Sequence, residues 1–303
     1  MARRRTKLAI VVKRTTYGTF VVERHDPLIT RLLRRHDPTV QSLKRSHATH
    51  EQTLRELEAA VAKLPFDVVF RGTVRERIPS RVDLVVTVGG DGTLLAASHQ
   101  IGKGVPLLGV NSAPDHSVGF FCATRKGRIV DALDRALRGD LAGVELTRMR
   151  VDLNGACLHG RVLNEALFCH ASPAATSRYI LRVSRRGGTY GEEDQRSSGM
   201  WVGPAAGSTA AQRSAGGRVL PLSSPKLQYV VREPYTPAGG EFRYAKGLVD
   251  EDGELVLRSK MRTAKVFVDG HKNVHAVTIG DVLTMRRSDE PVTVLGIARK
   301  RRL

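Results

Sequence analysis

Val82-Asp83-Leu84-Val85-Val86-Thr87-Val88 runs straight into Gly89-Gly90-Asp91-Gly92-Thr93. An apolar, β-branched run of that length reads as a buried strand, and the glycines after it read as its exit turn. Leu94–Ile101 then reads as a helix that begins near Thr93. Open α/β sheets bind ligands at such strand exits. Glycine removes the Cβ, so backbone N–H groups can approach phosphate oxygens, and the helix amino terminus adds unpaired donors. Asp91 is unwelcome beside phosphates unless it has a task. Two are open to it: holding Mg2+, or accepting a proton from an attacking hydroxyl. The plain alternative is a glycine-rich turn with an aspartate cap. No GxxxxGK[ST] occurs, and Gly102-Lys103-Gly104 lacks the third glycine of a dinucleotide fingerprint, since position 107 is Leu.

Outward from this stretch the pattern repeats. Leu8–Val12, Phe66–Phe70 and Pro106–Val110 read as further strands. Leu54, Leu57, Val61 and Leu64 recur at helical spacing from Glu51 until Pro65 stops them, and Ile129–Leu137 is a second amphipathic helix closed by Gly139. Strands alternating with helices predict an α/β domain with a parallel sheet over residues 1–140. The polar, basic stretch from Thr15 to about His50 shows no clear period and is expected to be partly mobile.

Beyond about residue 143 short β-like runs dominate: Val144–Leu153, Leu158–Leu167, Tyr179–Val183, Leu227–Val231, Glu254–Leu257, Lys265–Val268, Val274–Ile279 and Val282–Met285. Turn signals at Gly187-Gly188, Asp252-Gly253, Asp269-Gly270 and Gly280-Asp281 separate them. Residues 141–285 are therefore expected to form a β-rich, sandwich-like domain.

The chain has 303 residues, 41% hydrophobic and 26% charged, a globular composition with room for two domains. Its net charge of +19 favours anionic partners: nucleotides, polyphosphate, nucleic acid or acidic lipid. Aromatic residues are only 5%, and recognised nucleic-acid motifs are absent, so nucleic acid is not expected as a partner. Three cysteines, Cys122, Cys157 and Cys169, give an odd count without CxxC. A disulfide scaffold or zinc ribbon is not expected, and a reducing, cytoplasmic setting is. The apolar run Leu8–Val12 is too short for a signal-peptide core or a membrane span.

Three ordered motifs make the chain resemble the NAD kinase family: Gly89–Thr93, then Leu163-Asn164-Glu165, then Gly207-Ser208-Thr209-Ala210 followed by Ser214-Ala215-Gly216-Gly217. Val12–Tyr17, Gly109-Val110-Asn111, Arg196-Ser197-Ser198-Gly199 and Arg232-Glu233-Pro234 are similar to the branch typified by mitochondrial NAD kinases. The resemblance implies the same two-domain fold, with a tail of about residues 286–303 returning to the first domain. It implies transfer of a phosphoryl group from ATP or polyphosphate to the adenosine-ribose 2′-hydroxyl of NAD, with Mg2+ on the donor phosphates. It also implies a homodimer or homotetramer that binds small nucleotides.

By the same resemblance Asp91 is the proton acceptor, with Gly89, Gly90, Gly92 and Thr93 around the phosphates. Asn164 and Glu165 would grip adenine and ribose, and an amide can indeed donate and accept along an adenine edge. Arg196, Ser198, Gly207, Ser208, Thr209, Ala210, Ser214, Asp269 and His271 complete the implied nucleotide-binding set, and no residue is assigned to a metal. On the residues alone, Asn164-Glu165 is a polar pair at a strand end, Ser208–Ser214 an ordinary capped turn, and Asp269-Gly270-His271 a hairpin turn. Ser198, Ala206 and Ala211 depart from the Asp, Thr or Ser, and Tyr that many family members carry. The missing tyrosine removes an aromatic wall. Phe120 and Phe121 are candidates to replace it, although packing in the core is their ordinary use. The sequence does not single out which of Lys13 and the nearby arginines adds positive charge.

Two other functions remain open at this level. A lipid or sphingoid-base kinase shares the GGDGT turn, but the second and third motifs speak against it. A non-catalytic polyanion binder would keep the charge without the chemistry.

Overall fold

The computed structural model describes residues 4–115, 117–184, 188, 190–236, 240 and 242–298. The chain divides into two compact units. One runs to Val144 and takes back Thr293–Ala298; the other is Glu145–Val292. Arg3, Gly187 and the basic cluster Arg299–Arg302 lie outside the described residues.

The first unit is an α/β layer structure. Its strands are β1 (Thr6–Val12), β2 (Phe66–Gly72), β3 (Leu84–Gly89), β4 (Leu107–Asn111), β5 (Cys122–Arg125) and β6 (Gly143–Leu146), joined by the late strand Val292–Leu295. β1 pairs parallel with β2 and β3, and β4 pairs parallel with β3, β5 and the late strand. Every residue of β3 and β4 is buried, as expected of a parallel sheet covered on both faces. The helices are α1 (Pro27–Arg34), α2 (Gln41–Lys63), α3 (Asp91–Ser98) and α4 (Ile129–Arg138). α2 buries His50, Thr53, Leu54, Leu57 and Ala60 on one face. Leu54 and Leu57 share a core cluster with Leu8, Val86, Val88, Val110 and Leu133.

Three differences from the sequence expectation have clear causes. Much of the stretch without a clear period in sequence is helical. The Asp26 side chain accepts hydrogen bonds from the N–H groups of Leu28 (2.9 Å) and Ile29 (3.0 Å), and Pro27 pre-sets the first turn of α1. α2 starts at Gln41 rather than near Glu51, its amino-terminal half being too polar to show an apolar period. α3 starts at Asp91, two residues before the expected Thr93, because Gly90 already occupies the cap.

The second unit is a sandwich of two six-stranded antiparallel sheets. One sheet has the order β11-β10-β15-β18-β7-β8, where these are Tyr190–Ser197, Ser177–Ser184, Glu254–Ser259, Val282–Arg287, Met149–Leu153 and Ala156–Val162. The other has β14-β13-β12-β9-β16-β17, which are Lys246–Val249, Leu227–Val231, Met200–Pro204, Ala166–His170, Ala264–Val268 and Asn273–Val277. Val151, Leu181, Leu257 and Leu283 of the first sheet and Phe168, Val202, Leu227 and Val266 of the second form one core. Two runs that read as continuous strands are broken. Val144–Leu153 is cut at Thr147-Arg148, and Arg148 is fully buried with Nε donating to the Glu290 carbonyl (2.5 Å). Leu158–Leu167 is cut at Leu163-Asn164-Glu165, where the chain crosses from one sheet to the other. Among the described residues no helix is long and apolar enough to cross a membrane.

Candidate functional site

In the first unit the site is built on the exits of β1, β3 and β4. β3 ends at Gly89, Gly90 caps α3, and Asp91 opens that helix. None of Gly89, Gly90 and Gly92 has a positive φ, so a left-handed backbone is not why glycine is there. Space is the reason at two of the three. A Cβ on Gly89 would meet Thr93 Oγ1 at 2.2 Å, and one on Gly90 would meet Ser117 Oγ at 2.5 Å. Around Gly92 nothing lies within 4 Å of such an atom. Thr93 N–H already donates to the Gly90 carbonyl (3.0 Å), which leaves the Asp91 and Gly92 N–H groups as the first-turn donors of α3 beside this open space.

The Asp91 carboxylate accepts two backbone hydrogen bonds, from Phe120 N–H at Oδ2 (2.9 Å) and from Phe121 N–H at Oδ1 (2.8 Å). Two oxygens offer about four acceptor positions, so each keeps capacity for another donor. Phe121 is buried, and Phe120, 43% exposed, is the ring available as a wall. Burial and the Asp91 charge push the neighbouring Cys122 thiol up to about 12, which keeps it an inert thiol.

In the second unit the structure gathers Asn164, Glu165, Gly207 and Asp269. Asp269, at φ +47°, turns its carboxylate back from the hairpin between β16 and β17. It accepts from the N–H groups of Leu163 (2.8 Å), Asn164 (2.8 Å) and Glu165 (3.0 Å). That clamp fixes the crossing loop. Gly203 and Gly207 then receive its backbone: a Cβ on Gly207 would stand 1.8 Å from the Asn164 carbonyl oxygen, and one on Gly203 would stand 2.1 Å from it. Glycine in the third motif thus makes room for Asn164. Gln212 donates from Nε2 to the Asn164 carbonyl (3.4 Å) and accepts at Oε1 from Gln228 Nε2 (3.0 Å). Both glutamines are buried, and sequence reading passed over them because a lone Gln carries no motif.

Two atoms of this cradle lack partners. Asn164 Oδ1 and Glu165 Oε2 are buried without a hydrogen bond among the described residues. A buried acceptor left unpaired costs about 1–3 kcal/mol, so such atoms are expected to meet a ligand or water. Burial, with the Asp269 charge adding to it, pushes the Glu165 carboxyl up to about 7.

The other candidates divide. Ser208 is fully buried; its hydroxyl donates to the Ala205 carbonyl (2.7 Å) and accepts from Leu220 N–H (2.9 Å), so it shapes the loop. Thr209 and Ala210 are half-buried beside it, and Ser214 is exposed at the end of the short helix Ala211–Ser214. His271 is exposed at the hairpin tip. Arg196 is exposed on β11. Ser198 lines a cavity of about 340 Å³ with Cys169, His170 and Arg232.

A turn with open space at a parallel sheet's carboxyl edge, and in the second unit a buried amide–carboxyl pair with unpartnered oxygens, are features of the class of proteins that bind nucleotides. A family model described as the ATP-NAD kinase N-terminal domain matches residues 9–141. A probable NADH kinase from Oryza sativa is 39% identical over 230 residues, 70% of each chain. An NADH kinase from Arabidopsis thaliana is 32% identical, over 70% of this chain and 71% of the relative. An NAD kinase from Methanoculleus marisnigri is 32% identical, over 69% of this chain and 72% of the relative. A crystal structure of an NAD kinase from Archaeoglobus fulgidus in complex with ATP shares the fold, with a TM-score of 0.64 and 20% identity over 95% of this chain and 92% of that one. The chain belongs to the NAD kinase family, and it is a kinase.

Proposed function

We propose that the chain transfers the terminal phosphoryl group of ATP or polyphosphate to the adenosine-ribose 2′-hydroxyl of NAD, giving NADP. The 2′-oxygen forms the new bond to phosphorus, and the bridging P–O bond breaks. The leaving group, ADP or the shortened polyphosphate, departs with that electron pair, and the hydroxyl proton passes to Asp91. In a loose transition state the proton leaves late, so orienting the hydroxyl matters more than the basicity of the carboxylate. The observation that carries this reading is Asp91 itself, an acceptor-bearing carboxylate on the open amino-terminal turn of α3. The Gly89–Thr93 backbone would receive donor phosphates. Asn164 Oδ1 and Glu165 Oε2 would find their partners in the adenine amino group and ribose hydroxyls.

Among the described residues no group of three or more His, Cys, Asp or Glu could cage a metal. Mg2+ is typically held by one or two carboxylates, water and substrate phosphates rather than by such a cage. With Asp91 given to the hydroxyl proton, the donor phosphates and water would supply the ion's ligands. When bound, the ion neutralises phosphate charge.

Assembly into a homodimer or homotetramer belongs to the same proposal, as does a cytoplasmic setting, which the three free cysteines support. The two plant relatives named NADH kinase favour a second reading of the acceptor, the reduced dinucleotide. Formation of NADP or NADPH, measured with either dinucleotide and either donor in Mg2+ buffer, tests both. Absence of product in all four combinations, from folded protein, defeats the proposal, and the ratio of rates assigns the acceptor. Asp91→Asn is expected to lower kcat by about 10²- to 10⁴-fold with little change in KM for the dinucleotide. Undiminished turnover in that variant would instead favour a binder whose charge, not its carboxylate, matters.

A further inference from the structure

Three neighbouring strand exits are laced together around one histidine. Lys13, the residue after β1, donates its N–H to the Val88 carbonyl of β3 (2.8 Å), and Ser112, the residue after β4, donates its N–H to Gly89 (2.9 Å). His50 of α2, only 2% exposed, joins the outer two. Its Nδ1 lies 2.8 Å from Ser112 Oγ, and the ring also hydrogen-bonds to the Lys13 backbone. Burial, together with the charges of Lys13 and His47, lowers the His50 pKa to about 4, so the ring is neutral near pH 7. With the Lys13 carbonyl taking the single ring N–H, Nδ1 is left to accept the Ser112 hydroxyl.

One helical turn earlier, His47 Nδ1 is 2.8 Å from Thr15 Oγ1 and its ring stacks on Tyr17 at 5.2 Å. Thr15 Oγ1 also accepts the Gly18 N–H (3.0 Å). α2 therefore fastens the Lys13–Gly18 segment at two points, and the segment leaves the sheet on a fixed course. Lys13 departs against the glycine turn: its Cβ would stand 3.0 Å from a Cβ on Gly89. Its side chain is exposed and, among the described residues, has no ion-pair partner, whereas the adjacent Arg14 is paired with Glu23.

We propose that Lys13 is the cation that meets the donor's phosphates at the Gly89 turn, with His50 as the positioning residue that holds the Lys13 backbone in place. The inference rests on the phosphotransfer reading of that turn. Lys13 adds a mobile ammonium to the fixed amides of α3, and the pinned backbone limits where that ammonium can reach. Lys13→Arg should keep part of the effect and Lys13→Met should lose it.

The experiment has two arms. In the first, donor KM, dinucleotide KM, kcat and melting temperature are compared for wild type, Lys13→Met and Lys13→Arg. Lys13→Met is expected to raise donor KM by about 10- to 100-fold, the worth of one hydrogen bond to a charged group, with dinucleotide KM unchanged. An unchanged donor KM at native melting temperature overturns the proposal, as does an equal rise in both KM values. The positioning role is read by a double-mutant cycle. His50→Leu should raise donor KM on its own and add nothing in the Lys13→Met background, while His50→Gln, which can still donate and accept, should restore much of the wild-type value. Additive effects would leave His50 a merely structural residue and overturn that half. The second arm measures binding of inorganic tripolyphosphate to wild type and Lys13→Met by calorimetry, without turnover. Loss of binding in Lys13→Met from a wild type that makes no NADP would sustain the Lys13 assignment and sink the phosphotransfer reading. Equal binding by both proteins overturns the assignment.

Discussion

Asp91 in the first unit and Asp269 in the second each hold a distant loop by taking its backbone N–H groups on one carboxylate. Asp91 takes two, from residues 29 and 30 positions onward, one on each oxygen. Asp269 takes three, from residues 104 to 106 positions back, and Arg148 feels its charge as well. The same device therefore leaves different residues behind. Asp91 keeps acceptor capacity on both oxygens beside an open helix end. Asp269 is largely committed to the scaffold, and the groups it leaves unsatisfied are those of its cargo, Asn164 Oδ1 and Glu165 Oε2. Sequence reading made Asp91 the proton acceptor and Asp269 a ligand contact. The geometry gives Asp269 a further task, as the clamp of the crossing loop.

The sharpest way to break this contrast is to disturb what the clamp presses against. In Gly207→Ala the new Cβ would lie 1.8 Å from the Asn164 carbonyl oxygen and 2.4 Å from its carbon. Both are backbone atoms held by Asp269, so no side chain can swing away. A loss of about 3 kcal/mol in urea unfolding is expected, together with weakened dinucleotide binding. Native stability in this variant would mean that the crossing loop is free to move and that Asp269 does not clamp it.

The difference between the two units also explains what could be read beforehand. The glycine–aspartate turn was legible because its parts are contiguous: strand, turn and helix follow within about 15 residues, each with a local signal. Asp91 as a hydrogen-bond acceptor for Phe120 and Phe121 was not legible, since nothing local announces a partner 30 residues away. The second unit fails the same way more severely. Leu158–Leu167 scans as one strand because the break at Asn164 is imposed from Asp269, about a hundred residues later. Gln212 and Gln228 meet only after the sheet forms. The helix α1 was missed for another reason: the Asp26-Pro27 pair can cap a helix, but the apolar face behind it is thin, and none of α1 is fully buried.

A second test uses the charge that the clamp places next to its cargo. Glu165 has a folded pKa of about 7 against an ordinary value of 4.5, raised by burial first and by Asp269 second. Between those values the folded state binds more protons than the unfolded one, so this group lowers stability as pH rises from about 4.5 to 7. Ligand binding should run the opposite way. Ribose hydroxyls donate best to the ionised carboxylate, so dinucleotide affinity should climb with pH, up to tenfold per unit below about 7, and level off above it. Glu165→Gln should flatten the profile. Asp269→Asn removes the neighbouring charge and should move the inflection downward. A profile that does not respond to either substitution would show that Glu165 does not face the ligand.

The smallest structural change separates space kept for packing from space kept for a ligand. Gly90→Ala must displace Ser117, so loss of activity there would say little about chemistry. Gly92→Ala meets nothing within 4 Å, at an ordinary φ in the first turn of α3. By restricting the unfolded chain it should leave the fold unharmed or stabilise it by about 0.5 kcal/mol. If donor phosphates lie against that face, the added methyl group takes their place, and turnover should fall more than tenfold while the melting temperature holds or rises. No packing role for Gly92 produces that divergence. Full turnover in a protein at least as stable as wild type would mean that the empty face of the turn is merely solvent, and the phosphate cradle would have to be sought elsewhere on the first unit.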